Sequence, residues 1–225
     1  MRNIIKGVIY GVFSICPGLS GGMLALKLGD YYKIISIINN KKYSKKEIFY
    51  LSSILIGFII GSILFSNLIN CLYIKYYTFF NIFVLFVTIY LVTNFAFKCK
   101  ITNVELIFLL ILSIIIGLLM CNLKLPNINL IILFIISGFI FSFSKVIPGF
   151  SGTSILINIG FYKYLLNFFS NPLIFFDNIF LWSLFMLIFF ISTILIIKFV
   201  SIQDKFFEYY VIVIMLVNIF MMLIK

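Results

Sequence analysis

Histidine is absent from this 225-residue chain. That removes the imidazole on which histidine-dependent membrane lipid phosphatases rely, and the commonest metal ligand. Charge is scarce as well, with Asp, Glu, Lys and Arg together making 10% of the residues and only six of them acidic. Those six, Asp30, Glu47, Glu105, Asp177, Asp204 and Glu208, form no close pair in sequence, and Glu47 and Glu105 fall where a helix N-terminus favours a carboxylate. The four cysteines, Cys16, Cys71, Cys99 and Cys121, are spaced too widely for a disulfide framework or a Cys-based zinc site. Nothing here points to hydrolysis, so the chain is read as a non-enzyme that calls for no cofactor and no metal, with any coupling ion unidentified.

What the sequence has in abundance is apolar surface. Hydrophobic residues make 64% of the chain and its mean hydropathy is +1.26, which leaves too little polar surface for a soluble domain. The expectation is an all-α polytopic membrane protein, a single membrane domain over residues 1–225. A cleavable leader fits the N-terminus poorly, because the apolar run after Lys6 meets a Pro-Gly break with no small-residue cleavage site, so the chain is expected to be retained whole.

Five stretches are long enough to span a bilayer, which takes about 20 residues: 48–69, 77–97, 104–121, 179–199 and 206–224. Two further apolar regions, 4–38 and 128–169, are each interrupted by a Pro-Gly pair, with one helical arm before the break and one after it. Such interrupted segments suit re-entrant hairpins or kinked crossings. Connector charges set the orientation. One side collects Arg2, Lys6, Lys41, Lys42, Lys45, Lys46, Lys98, Lys100, Lys198 and Lys205; the other has only Lys75, Lys124 and Lys225. The richer side is assigned to the cytoplasm, with the N-terminus inside. The net charge of +11 is thereby explained by topology and contacts with anionic membrane lipids, and nucleic acid is not expected as a partner.

The two breaks, "ICPGLSGGMLALKLGDYY" and "VIPGFSGTSILINIGFYK", align without a gap when residue n is set against n+131. Gly7 meets Gly138, Pro17 meets Pro148, Gly18 meets Gly149, Ser20 meets Ser151, Gly21 meets Gly152, Gly29 meets Gly160 and Tyr31 meets Tyr162. This reads as a duplication: repeat one over 1–97, a linking span at 104–121, and repeat two over 128–225. Whether a hairpin counts as zero crossings or two, an odd number of crossings separates equivalent points, so the second repeat is expected upside down, as in many secondary transporters.

Breaking a helix inside hydrocarbon frees backbone N–H and C=O groups that protein, water or ligand must satisfy. Proline has no N–H to give, while the following glycines allow a tight turn and close approach. The helix starting after each tip offers free N–H groups, and the hydroxyls of Ser20, Ser151 and Thr153 stand beside them, a cradle for an anion and for phosphate above all. Lys145 and Lys27 are ionisable residues within apolar stretches and therefore candidates for ligand contact, although Asp30, three residues beyond Lys27, is placed to pair with it. Asn158, the repeat mate of Lys27, is a weaker polar candidate.

"PGLSGG" followed by "LGDYY", and "PGFSG" followed by "IGFYK", resemble the paired PG-x-SG signatures of the PopT-like undecaprenyl-phosphate translocases, a prokaryotic membrane family. The resemblance extends over nearly the whole chain. It implies a translocase that returns a polyprenyl-phosphate lipid carrier from the outer to the cytoplasmic leaflet for reuse in envelope polymer synthesis. The motif positions it carries over are Pro17, Gly18, Ser20, Gly21 and Gly22 with Pro148, Gly149, Ser151 and Gly152. Met23 departs from the family pattern, where threonine is usual, so the first tip has one hydroxyl fewer. The alternative is a carrier or channel for a small soluble anion that uses the same tips.

Overall fold

A computed structural model describes residues 2–40, 43–121, 128–199 and 205–224, and all regular structure among them is helical. Lys41, Lys42, Lys124, Asp204 and Lys225, which entered the reading of charge, lie outside the described residues. The helices are α1 (Arg2–Ile15), α2 (Gly21–Lys27), α3 (Asp30–Asn39), α4 (Lys45–Lys75), α5 (Tyr77–Lys98), α6 (Asn103–Cys121), α7 (Leu130–Val146), α8 (Gly152–Asn158), α9 (Tyr162–Ser170), α10 (Ile174–Asp177), α11 (Ile179–Phe199) and α12 (Lys205–Ile224). Lys45–Lys75, Tyr77–Lys98 and Ile179–Lys198 are long and apolar enough to cross a membrane, and Asn103–Leu118 and Phe207–Leu223 are shorter apolar helices. Large apolar side chains stand exposed along these helices, among them Leu64, Phe86, Phe108 and Phe190. In water such continuous apolar surface would drive aggregation; in a bilayer it faces its own solvent. The protein is a multi-pass membrane protein.

Helix starts follow local chemistry. Ser44 and Glu47 form a capping box at α4, each side chain bonding the other residue's backbone N–H. Thr102 and Glu105 repeat that arrangement at α6. Both glutamates thus sit at helix N-termini, as the sequence indicates.

The regions 4–38 and 128–169 depart from the two-armed expectation. The arm after each break is not one helix but two. The seven-residue α2 ends at Lys27, Gly29 takes a left-handed φ of 77°, and α3 sets off from there. The seven-residue α8 ends at Asn158 and Gly160, with φ 79°, does the same before α9. A left-handed residue stops helical hydrogen bonding, and glycine adopts it without steric cost.

Packing within the first repeat rests on glycine. Gly7 and Gly11 on α1 face Gly57 and Gly61 on α4, two small-xxx-small pairs that let the backbones touch. A Cβ added at Gly7 would lie 2.3 Å from the carbonyl oxygen of Ile54, and one at Gly57 would lie 2.1 Å from that of Ile4. The equivalent pair in the second repeat is α7 against α11, where a Cβ on Gly138 would lie 2.9 Å from the carbonyl oxygen of Phe185, the residue 131 positions beyond Ile54.

Candidate functional site

Pro17 and Pro148 end the approach of α1 and α7, and Gly18 (φ 80°) and Gly149 (φ 86°) turn the chain in the left-handed region that other residues avoid. The turns are close-packed. A Cβ on Gly18 would meet Met222 and Val84, and one on Gly149 would meet Met215, which is 131 positions beyond Val84.

The two tips are bonded to one another. The Gly18 N–H donates to Ser151 Oγ at 3.0 Å. Thr153 Oγ1 donates to the Cys16 carbonyl at 3.0 Å, and Lys145 Nζ donates to the Ser14 carbonyl at 3.0 Å. Two further bonds are reciprocal: Tyr31 OH donates to the Val146 carbonyl at 2.7 Å, and Tyr162 OH to the Ile15 carbonyl at 2.9 Å. Tyr162 lies 131 positions after Tyr31 and Val146 lies 131 after Ile15, so each repeat latches the other by the same bond. Ser14 and Lys145 are likewise repeat mates and meet directly.

Of the residues singled out in the sequence, Pro17, Gly18, Ser20, Gly21, Gly22, Lys145, Pro148, Gly149, Ser151, Gly152 and Thr153 come together here. A Cβ on Gly22 would lie 3.4 Å from the Lys145 carbonyl and 3.5 Å from Pro148 Cα, and one on Gly21 would overlap Ser14 Oγ at 2.3 Å. Gly152 backs onto Ser144 in the same way. Lys27 does not join them. Its ammonium stands 3.9 Å over the ring of Tyr90 on α5, an ordinary cation–π contact.

Nor does Lys27 pair with Asp30. That carboxylate instead accepts from Lys6 Nζ at 2.7 Å, from Tyr10 OH at 2.5 Å and from Tyr50 OH at 3.0 Å. The left-handed Gly29 lies between Lys27 and Asp30, so the two residues do not share the helix face that a three-residue spacing requires.

Lys145 is half-buried and lies 4.1 Å from the centroid of the Phe141 ring. Among the described residues the ion pair is Lys6 with Asp30, and Lys145 has no carboxylate beside it. Two buried hydroxyls in the same neighbourhood, Ser14 Oγ and Ser20 Oγ, have no hydrogen-bond partner. An ammonium without a counter-charge, next to buried hydroxyls with free valence and the unpaired N–H groups that open α2, is suited to an anion. Because α2 has only seven residues, its share comes from those local N–H groups and not from a long helix dipole.

The sequence reading missed Ser14, Tyr31 and Tyr162 as contributors. Tyr31 and Tyr162 were visible as a repeat pair, and the 131-residue offset that matches them also matches Ser14 with Lys145.

A family model described as VCA0040-like, undecaprenyl phosphate translocase-like, matches residues 10–223. No curated protein and no solved structure matches the chain.

Proposed function

The chain belongs to the undecaprenyl phosphate translocase-like family, and from that premise we propose that it carries a polyprenyl phosphate across the membrane with the headgroup held where the two tips meet. The observation that carries the reading is the set where the tips meet: Lys145, bonded to the Ser14 carbonyl but with no carboxylate beside it, and the buried, unbonded hydroxyls of Ser14 and Ser20 in the same neighbourhood. A phosphate monoester has the charge and the acceptors for all three. Ser151 and Thr153 shape the site by fixing the second tip against Gly18 and Cys16. Gly21, Gly22 and Gly152 permit the close approach.

The reciprocal tyrosine latches are what a two-fold relation between repeats produces, since an isologous contact uses each surface twice. Combined with the odd number of crossings, this favours an axis in the membrane plane and a second repeat inserted upside down. The 14 residues of α1 extend only about 21 Å at 1.5 Å each, short of a hydrocarbon core of about 30 Å, which favours tips inside the membrane. A headgroup site at that depth can be offered to either leaflet by rocking one repeat against the other. Net transport runs from the outer to the cytoplasmic leaflet, and the lysine-rich connectors anchor the cytoplasmic face on anionic lipids.

Two experiments test this. In proteoliposomes the full chain should move a labelled polyprenyl phosphate between leaflets; steady transport of free phosphate or chloride with the lipid left in place would replace this reading by an anion carrier. For orientation, Tyr43→Cys and Leu173→Cys, both at exposed positions, should react in a cysteine-free background with an impermeant thiol reagent from opposite faces, position 43 from the cytoplasm. Labelling of both from one face would refute the inversion.

A further inference from the structure

An apolar cavity of about 790 Å³ lies between α6, α12 and the second tip. Phe108 and Leu112 on α6, Val213 and Val217 on α12, and Phe150 and Ile155 from the tip and α8 form its walls. The wall residues extend from 104 to 116 on α6 and from 209 to 221 on α12, about 18 Å along each helix at 1.5 Å per residue. The space is therefore elongated, and roughly five times the ~150 Å³ that accommodates one benzene ring in an engineered protein cavity.

Its ends differ from its walls. At one end Tyr209 OH donates to Glu105 Oε1 at 2.6 Å, beside the capping box that starts α6. At the other, Asn218 Nδ2 donates to the carbonyl of Gly149, so the cavity wall is bonded to the tip itself. Phe150, which lines the cavity, sits in the chain between Gly149 and Ser151, and its ring meets that of Phe143 edge to face at 5.1 Å. An apolar space of this length, open to the bilayer at Phe108, with the Tyr209–Glu105 contact at one end and the Asn218–Gly149 contact to the tip at the other, matches a lipid that is a long hydrocarbon bearing one phosphate.

Its position is not repeated in the other half. The mates of Val213 and Val217 are Ile82 and Phe86 on α5, and both are exposed. What turns the matching face of α12 into one side of a cleft is α6, the linking helix between the two matched stretches.

We propose that this cavity holds the polyisoprenoid chain of the transported lipid while its phosphate occupies the tips. The proposal rests on the translocase reading and assigns α6 the role of a tail-binding wall. Chain length is then sensed by the α6–α12 cavity, and the phosphate is sensed at Lys145 and Ser20.

The test uses the full chain in nanodiscs and a polyprenyl phosphate carrying a diazirine in its isoprenoid chain. Photolysis should place adducts on α6 and α12 at cavity-lining residues, and unlabelled polyprenyl phosphate should compete while an excess of phosphatidylglycerol should not. Adducts confined to the outer faces of α4 and α11, or equal competition by the phospholipid, would overturn the proposal. Leu112→Trp and Ile214→Trp fill the cavity without touching the tips; each should weaken long-chain binding about tenfold and leave binding of dimethylallyl phosphate unchanged. Folded variants with undiminished long-chain affinity would also overturn it. If a variant fails to fold, the adduct map on the unaltered chain decides. Failure of the headgroup reading gives a different pattern: dimethylallyl phosphate would bind the native chain and a Lys145→Gln variant alike, whatever the adduct map.

Discussion

Ser20 and Ser151 hold the same place in the two tips, yet the Ser20 hydroxyl bonds to nothing while the Ser151 hydroxyl is fully engaged. Ser151 Oγ accepts from the Gly18 N–H and from the Ser154 N–H and contacts the hydroxyls of Thr153 and Ser154 at 3.1 Å and 3.0 Å. The mates of Thr153 and Ser154 in the first tip are Gly22 and Met23, neither of which carries a hydroxyl. Two substitutions thus leave Ser20 buried and free. The difference teaches that equivalent hydroxyls carry unequal bonding: Ser151 ties the second tip to the first, whereas Ser20 has hydrogen-bonding capacity to spare, and the proposed headgroup site draws on it.

A parallel contrast separates the helix seams. The first repeat closes α1 on α4 through glycines, whereas Gly57 is matched in the second repeat by Ile188. The largest effect is therefore expected from Gly57→Ile, which puts a branched side chain against the Ile4 backbone and should abolish recovery of folded protein in size-exclusion chromatography. Ile188→Ala at the mate position should leave a folded, less heat-stable protein. Equal outcomes at the two positions would mean that the seams do not differ as described.

Next comes Ser151→Ala. It removes a helix cap and strands a buried Gly18 N–H, together worth about 2 kcal/mol, and should lower the melting temperature in detergent. Ser20→Ala should change stability by less than about 0.5 kcal/mol, because no bond is lost, while weakening headgroup binding severalfold. A melting temperature that falls as far for Ser20→Ala as for Ser151→Ala would erase the division between tips.

The smaller losses expected at the two latches serve as a symmetric control. Tyr31→Phe and Tyr162→Phe each remove one reciprocal latch, about 1 kcal/mol apiece, and thermal denaturation should show the two losses to be alike. A large disparity would show that the latches are not equivalent.

Much of this was legible in the sequence because two of its stretches match at one fixed offset, a constraint that low-complexity apolar sequence cannot hide. The offset of 131 read from Pro17 and Pro148 predicts the match of α2 with α8, whose bounds Gly21–Lys27 and Gly152–Asn158 differ by that number. Composition and capping residues marked the spans, since Ser44 with Glu47 and Thr102 with Glu105 signal helix starts by local chemistry alone. The second break in each interrupted region was not foreseen, because Gly29 and Gly160 are compatible with helix and their left-handed φ depends on where α3 and α9 pack. The Lys27 to Asp30 pairing failed for the same reason. Contacts between repeats, such as Lys145 with Ser14, connect residues far apart in sequence, and only reading the offset as reciprocal contact would have exposed them. The apolar cavity depends on α6, whose sequence lies between the two matched stretches and carries no signal at the 131-residue offset.

The most direct test of the central claim is the affinity of the native chain and of Lys145→Gln for polyprenyl phosphate, measured by titration calorimetry in nanodiscs. Removing the ammonium should weaken binding about ten- to a hundredfold, since one charge-assisted contact of roughly 1.5–3 kcal/mol is lost while the hydroxyls and N–H groups of the tip remain. Lys145→Arg should retain most of the affinity. Unchanged affinity in a folded Lys145→Gln protein would contradict the placement of the phosphate at the junction of the two tips.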